Sequence, residues 1–463
     1  MKDTKRKLMP ITFYDRTGIQ RSLETLAARG WLLEKCSAAG WIYRRIAPAK
    51  LHFSVVYFPA ADIFDPHPSE KQVQFQEFCE HTGWELIASN AQMQIFCNRR
   101  EHPVPIETDP EIEVENIHKS VKKTMIPAYF SNLILAAMQI GLASQRFSMD
   151  PLSELLSLPA MLATLFWGLD VVFWTVLLGM YFRWYRKAKA AAKDGNFLET
   201  KSTDGFQLLM LATTSLAVLF MYLSFGSWRM LLVGLLMVAG ILGLTAVMVW
   251  SSNRMKARNV SAKTNKLVTY AFAVMMSVVI CIGVIFLVVG IRREETDRTA
   301  QAKTYEYRGH TFYVYDDPIP LRVEDLLETE YGGYSYEILS DAASPLLSRY
   351  IARQRTRFDA LDEPELSYRV VEVKAPWLYD FVLSLMLADF DHNYAHPEDE
   401  SGWKKDASMD PAPWGAESAY QLVLGGEPES RYLLCYENRI LEIDLDWEPT
   451  AEQIAIIRQK LDP

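Results

Sequence analysis

Four residues near the carboxyl end hold the chain's best metal-ligating chemistry. Asp389, Asp391, His392 and His396 set a His-x-x-x-His pair beside two carboxylates, and on a helix that spacing can hold a divalent cation. Their neighbours argue for something plainer. Asn393, Pro397 and the run 398–400 (Glu-Asp-Glu) mark a solvated loop, so the expectation is a surface loop, with no metal and no cofactor assigned. A second candidate is Asp170, alone in a long apolar stretch, with Trp167 and Trp174 at −3 and +4 on the same helical face. An indole N–H there can donate to the carboxylate, and Asn132 and Gln139, seven apart, form another polar face to pack against it. Such an acid serves either proton- or cation-coupled transport or the fixing of helix register, and the second is the simpler reading. A third set, Trp31, Trp41 and Trp84, belongs to strand starts, where core packing is the simpler role and a partner-binding groove the alternative. No nucleophile elbow, phosphate-cradling glycine loop or zinc spacing occurs, so the chain reads as a non-enzyme.

These residues hang on five apolar stretches, at about 125–144, 159–182, 206–225, 228–250 and 267–291. Each reaches the roughly 20 residues that a helix needs to cross about 30 Å of hydrocarbon. The fold class expected is therefore a polytopic α-helical membrane protein with an α+β domain on either side. Trp228 and Trp250 bracket the fourth span, and Ala239, Gly243 and Ala246 give it a small-residue face for a neighbouring helix. Lysine and arginine orient the bundle. The connections before span one, between spans two and three, and between spans four and five carry 14 basic residues; the other two carry only Arg146 and Arg229. The positive-inside rule then places the amino terminus in the cytoplasm of a plasma membrane and, after an odd number of spans, the carboxyl terminus outside, against the dissent of Arg292 and Arg293.

Charge is partitioned as sharply as hydropathy. Residues 1–118 carry a net −2, 119–291 a net +10 and 292–463 a net −17. No basic stripe follows phosphates, so direct nucleic-acid binding is excluded from the expectations. Of five cysteines only Cys435 falls in the outer domain, which leaves no disulfide framework there. The first 20 residues are too charged for a cleaved signal peptide, so span one is expected to act as the insertion signal.

Residues 1–100 contain an internal repeat. An amphipathic helix ends at Gly30-Trp31 and another at Gly83-Trp84, each followed by a hairpin. A glycine past a helix supplies the left-handed stop, and the tryptophan opens a buried strand. Strand, helix, strand, strand, repeated, predicts two helices on one antiparallel sheet. The run from Glu24 through Gly30-Trp31 to Glu34, with Tyr43-Arg44, Tyr57-Phe58 and Gly83-Trp84-Glu85-Leu86, resembles the bacterial domain of unknown function family 2812. That resemblance implies a cytoplasmic module followed by membrane spans, and genomic company with PadR-type transcriptional regulators. It brings no catalytic residues.

Residues 101–118 are rich in proline and acid and read as a stiff, solvated linker. Residues 292–463 predict a mixed α+β domain: a hairpin around Gly309, a strand at 368–373, a helix at 377–390, three strands between 419 and 445, and a final helix capped by Thr450 and Gln453. The functional expectation is a transmembrane sensor or regulator with protein partners on both sides of the bilayer, a PadR-type system among them; the alternative is a transporter or exporter component using Asp170.

Overall fold

The computed structural model describes residues 4–7, 13–36, 40–90, 92–200, 203–296, 299, 302–358, 360, 363–394, 402–404, 410–424 and 427–461. The chain forms two compact units, Met1–Gly141 with Ala163–Val289, and Leu142–Leu162 with Gly290–Pro463.

In the first unit the repeat is visible strand by strand. β1 (Thr4–Lys7), α1 (Arg16–Ala28), β2 (Trp31–Lys35) and β3 (Trp41–Arg45) are followed by β4 (His52–Tyr57), α2 (Glu70–His81), β5 (Glu85–Asn90) and β6 (Met93–Asn98). Each half closes its own three-stranded antiparallel sheet, β1-β3-β2 and β4-β6-β5, so the single sheet expected from the sequence is two. Apolar alternation gives a strand's buried face but not its neighbour, which is why the pairing was not legible. The halves superpose in register at a spacing of 53. Leu32 faces Arg44 and Leu33 faces Tyr43, while Glu85 faces Cys97 and Leu86 faces Phe96. Even the irregularity repeats, between Leu33 and Lys35 in one half and between Leu86 and Ala88 in the other. Gly30 and Gly83 both take positive φ, +83° and +90°, where a side chain is strained.

The supposed linker is a correction. Trp84 Nε1 donates to the Val104 carbonyl at 2.8 Å, tacking down the proline-rich piece. Asp109 then caps α3 (Pro110–Lys123) by accepting from the Glu111 and Ile112 amides. Val114, Ile117 and Val121 repeat at helical spacing and are buried in the module's core. Much of the acid-rich stretch is thus an amphipathic helix, with Glu111 and Glu115 on its outer face and Glu113 buried.

Among the described residues, five helices are long and apolar enough to cross a membrane, and their mean hydropathy windows run from 1.4 to 3.1. They are α4 (Met125–Met149), which follows α3 after the single residue Thr124, α6 (Leu158–Lys193), α7 (Asp204–Leu223), α8 (Trp228–Ala257) and α9 (Ala262–Thr296). Large apolar side chains such as Leu235, Ile285 and Phe286 stand exposed along them, an arrangement stable in lipid and not in water. α7 and α8 meet where Gly234 lets the Tyr222 ring approach; a Cβ there would lie 2.9 Å from it. Gly243, on the expected small-residue face, has nothing within 4 Å of that position.

In the second unit, β7 (Lys303–Tyr307) and β8 (His310–Val314) form the expected hairpin. β9 (Ser335–Ala343), β10 (Leu347–Arg355), β11 (Leu366–Val373), β12 (Gly402–Lys404), β13 (Ser418–Leu424), β14 (Glu427–Cys435) and β15 (Arg439–Leu445) make one antiparallel sheet, ordered β12-β13-β14-β15-β11-β10-β9. Alternation sends Leu366 and Tyr368 into one core, shared with α11 (Ala451–Leu461), and Val371 and Val373 into another. The second core is covered by α10 (Tyr379–Tyr394) and by α5 (Pro151–Leu156), the short helix joining α4 to α6. Leu152 and Leu156 of α5 are buried there against the sheet face of Leu347, Val371 and Leu433. The capping box of α11 forms as expected, Thr450 N donating to Gln453 Oε1 at 2.8 Å and Gln453 N to Thr450 Oγ1 at 3.3 Å.

Candidate functional site

The sequence candidates do not converge. Asp170 accepts a hydrogen bond from Trp174 Nε1 at 3.0 Å, and the Trp174 ring packs on Tyr129 of α4 at 4.8 Å. Trp167 instead meets its neighbour Phe166 at 5.0 Å. Asn132 donates to the Ala128 carbonyl of its own helix, and among the described residues no hydrogen bond joins Asp170 to Asn132 or Gln139. The Asp170–Trp174 bond together with the Trp174–Tyr129 contact ties α6 to α4.

The three tryptophans are dispersed as well. Trp41 is buried in the main core and Trp84 in a satellite cluster with Val56, Cys79 and Phe96. Trp31 is half-buried, with Lys5 and Arg45 each 5.6 Å from its ring centroid. They form core and surface, not one groove. His396 lies outside the described residues, as do the side chains of Asp389, Asp391 and His392. The backbone of the last three belongs to α10, which holds Asp389 as expected and runs four residues past the helix end expected at Phe390, so the loop reading is corrected for Asp391 and His392. No group of metal-ligating side chains occurs among the described residues.

What sequence reasoning missed is the seam where the module meets the roots of the membrane helices. α6 outruns the apolar span, and from the end of that span onward it buries Tyr181, Trp184, Ala188 and Ala192 in the module's core. Tyr14 lies edge-on to Tyr181 at 5.2 Å and tilted on Trp184 at 5.0 Å. From α3, His118 stacks on Tyr185 at 4.0 Å, and its Nδ1 lies 2.7 Å from the Tyr181 hydroxyl. Burial, then Lys122 and Lys189, holds the imidazole's pKa below its ordinary value.

After α6 the chain returns to the start of α1. Thr200 donates through its hydroxyl to Asp15, which also accepts from the Gly18 amide as the helix cap. Thr200 and Thr17 hydroxyls lie 2.6 Å apart, and the Thr200 amide donates to Thr17 Oγ1 at 2.9 Å. Arg16, next in line, pairs with Glu113 of α3 at 2.7 Å and stands 4.0 Å from Glu107. Burial and the neighbouring Glu113 push the Glu107 carboxyl up to about 8, Arg16 opposing. Burial likewise raises Glu113. In the first turn of α9, buried Asn265 donates to the carbonyls of Ser252 and Phe64 at 3.2 and 3.4 Å, and Thr269 donates to its Oδ1. One signal was available: Trp184, Ala188 and Ala192 continue the helical spacing of Tyr181 into the basic run after span two.

The repeat, the tacked segment and α3 thus form one physical body that ends where α4 begins. Residues 17–129 match the family described as Protein of unknown function (DUF2812). The DUF2812 match covers 113 of the 463 residues, from the first turn of α1 into the first turns of α4. It therefore takes in both glycine-tryptophan pairs, the Glu107–Arg16–Glu113 group apart from Arg16 itself, and the helix that leads into span one. No curated protein and no solved structure matches the chain.

Proposed function

We propose that this is a transmembrane sensor or regulatory protein of the plasma membrane. It links an extracytoplasmic domain, residues 292–463, to a cytoplasmic DUF2812 module that binds a protein partner, a PadR-type regulatory system being the partner class implied by the family. One observation carries the reading. α4 and α6 enter the module's core at one end, through Met125 and through Tyr181, Trp184 and Ala188, and are joined at the other by α5, whose Leu152 and Leu156 belong to the carboxyl-terminal domain's core. A rearrangement of that domain that moves α5 moves both helices, and the seam at Asp15, Thr17 and Thr200 feels it. Coupling of this kind needs two arrangements whose balance each domain biases. The orientation rests on the 14-to-2 division of basic residues among the connections.

The test places a cysteine at Thr200 in the full-length protein and measures its alkylation rate in membranes, with and without Leu152→Ala and Leu156→Ala. The expected outcome is a several-fold change in rate at the far seam. An unchanged rate, in protein whose α5 variant has demonstrably loosened the outer domain to protease, would refute coupling through this hairpin.

A further inference from the structure

A cavity of about 510 Å³ opens between the second half of the module and α3, walled by Phe58, Phe75, Ile106, Glu107, Asn116 and Lys119 among others. That volume is in the range of small-molecule sites. Phe58 and Phe75 stand 6.1 Å apart, tilted by 32°, and Phe75 is held edge-on by Phe96. Tyr57 also borders the cavity, its hydroxyl already donated to the Phe13 carbonyl.

The charge of the wall is acidic and incompletely balanced. The Glu107 side chain is only 11% exposed. Its nearest guanidinium, Arg16, lies 2.7 Å from Glu113 but 4.0 Å from Glu107, so one cation serves two buried carboxyls. At the rim, Lys119 is paired with Glu115 at 2.7 Å, and Asp109 accepts the first amides of α3.

We propose that this cavity binds a lipophilic organic cation, its aromatic or alkyl body against Phe58 and Phe75 and its ammonium group at Glu107. Ring faces attract cations through their quadrupole. The carboxyl in excess supplies the countercharge where water is scarce, and the same group repels an anion. Burial and Glu113 push the Glu107 carboxyl up to about 8, and a cation bound beside it favours the ionised form as Arg16 does. The site is independent of the coupling reading, because binding is measured whether or not it moves a helix.

The experiment titrates the purified full-length protein, in neutral detergent at pH 8.5, with benzyltrimethylammonium. The uncharged isostere 2,2-dimethylpropylbenzene and the anion phenylacetate are run beside it against a micelle blank. Saturable one-to-one binding of the cation is expected, weakened on the order of ten-fold by Glu107→Gln and about three-fold by Phe75→Leu. Absence of saturable binding overturns the proposal. So does equal binding of the isostere or the anion, or a folded Glu107→Gln protein that binds the cation as tightly as the natural one. Should Glu107→Gln fail to fold, the isostere and Phe75→Leu decide the matter.

Discussion

The two halves of the amino-terminal module follow one chain course and hold it with different materials. In the first half, Ile19, Leu23, Leu26 and Ala27 make the buried face of α1, and Trp41 on β3 lies in the same core. Fifty-three positions on, those places are taken by Gln72, Gln76, Cys79, Glu80 and Gln94. The apolar set has become largely polar, and Gln76 reaches Gln94 at 3.5 Å where Leu23 and Trp41 share a core. The first half is sealed against the root of α6 and clasped by Thr200. The second carries a smaller cluster around Trp84 and leaves Phe78 of α2 exposed. A duplicated fold thus keeps backbone register, which the bulges and glycines fix, while its side chains divide the labour. The first half buries the root of α6, while the second touches α9 through Phe64 and borders the cavity.

The strongest way to break this comparison is to truncate matched positions. Leu23→Ala removes a side chain only 1% exposed from the main core and is expected to cost about 2–5 kcal/mol. Gln76→Ala, at the matched place, is expected to stay within about 0.5 kcal/mol. Denaturant unfolding of full-length protein in detergent, followed through module tryptophans, measures both. Equal losses would mean that α1 and α2 bear on their sheets alike and that the asymmetry is illusory.

The sequence showed the repeat because glycine-tryptophan pairs are rare and evenly spaced. It showed the spans because 20 apolar residues have little else to be. It hid what depends on distant partners. Thr200 lies 183 residues from Thr17, and nothing local marks a threonine as a clasp. α3 was concealed by the glutamates set among the apolar stripe of Val114, Ile117 and Val121: Glu111 and Glu115 face solvent, and Glu113 is buried. β9 and β10 escaped notice because Asp341, Arg349, Arg353 and Arg355 interrupt the alternation; Arg353 is in fact neutralised across the strands by Glu337 at 2.6 Å. Of the candidate residues, only the Asp170–Trp174 bond formed as the spacing anticipated.

The glycines sharpen the comparison at smaller scale. Both need positive φ, so alanine strains either. A Cβ on Gly30 would also lie 2.9 Å from the Ile46 carbonyl oxygen, backbone that cannot step aside. On Gly83 it would meet the Arg100 guanidinium at 3.0 Å, the far end of a side chain that can swing away. Gly30→Ala is therefore expected to cost about 2–3 kcal/mol and Gly83→Ala about 1 kcal/mol, by the same unfolding measurement. Reversal of that order would place the more rigid turn in the second half.

The least effect expected concerns pH, and it too divides between the halves, since Arg16 of α1 is the cation both buried carboxyls share while the matched residue of α2 is the uncharged cap Ser69. Glu107 faces Arg16 from α1, Glu113 and Asn116 from α3, and the ring of Tyr57 from β4. Its carboxyl is raised from 4.5 to about 8 by burial first and by Glu113 second. The folded state therefore holds this proton more tightly than the unfolded chain does. The stability it contributes is full below about pH 4.5 and is lost as pH rises through about 8. Thermal unfolding should fall by a few degrees between pH 6 and 8.5, and Glu107→Gln should flatten that decline. A slope identical in the natural protein and Glu107→Gln would mean that Arg16 balances both carboxyls, which would also remove the excess acid from the cavity wall.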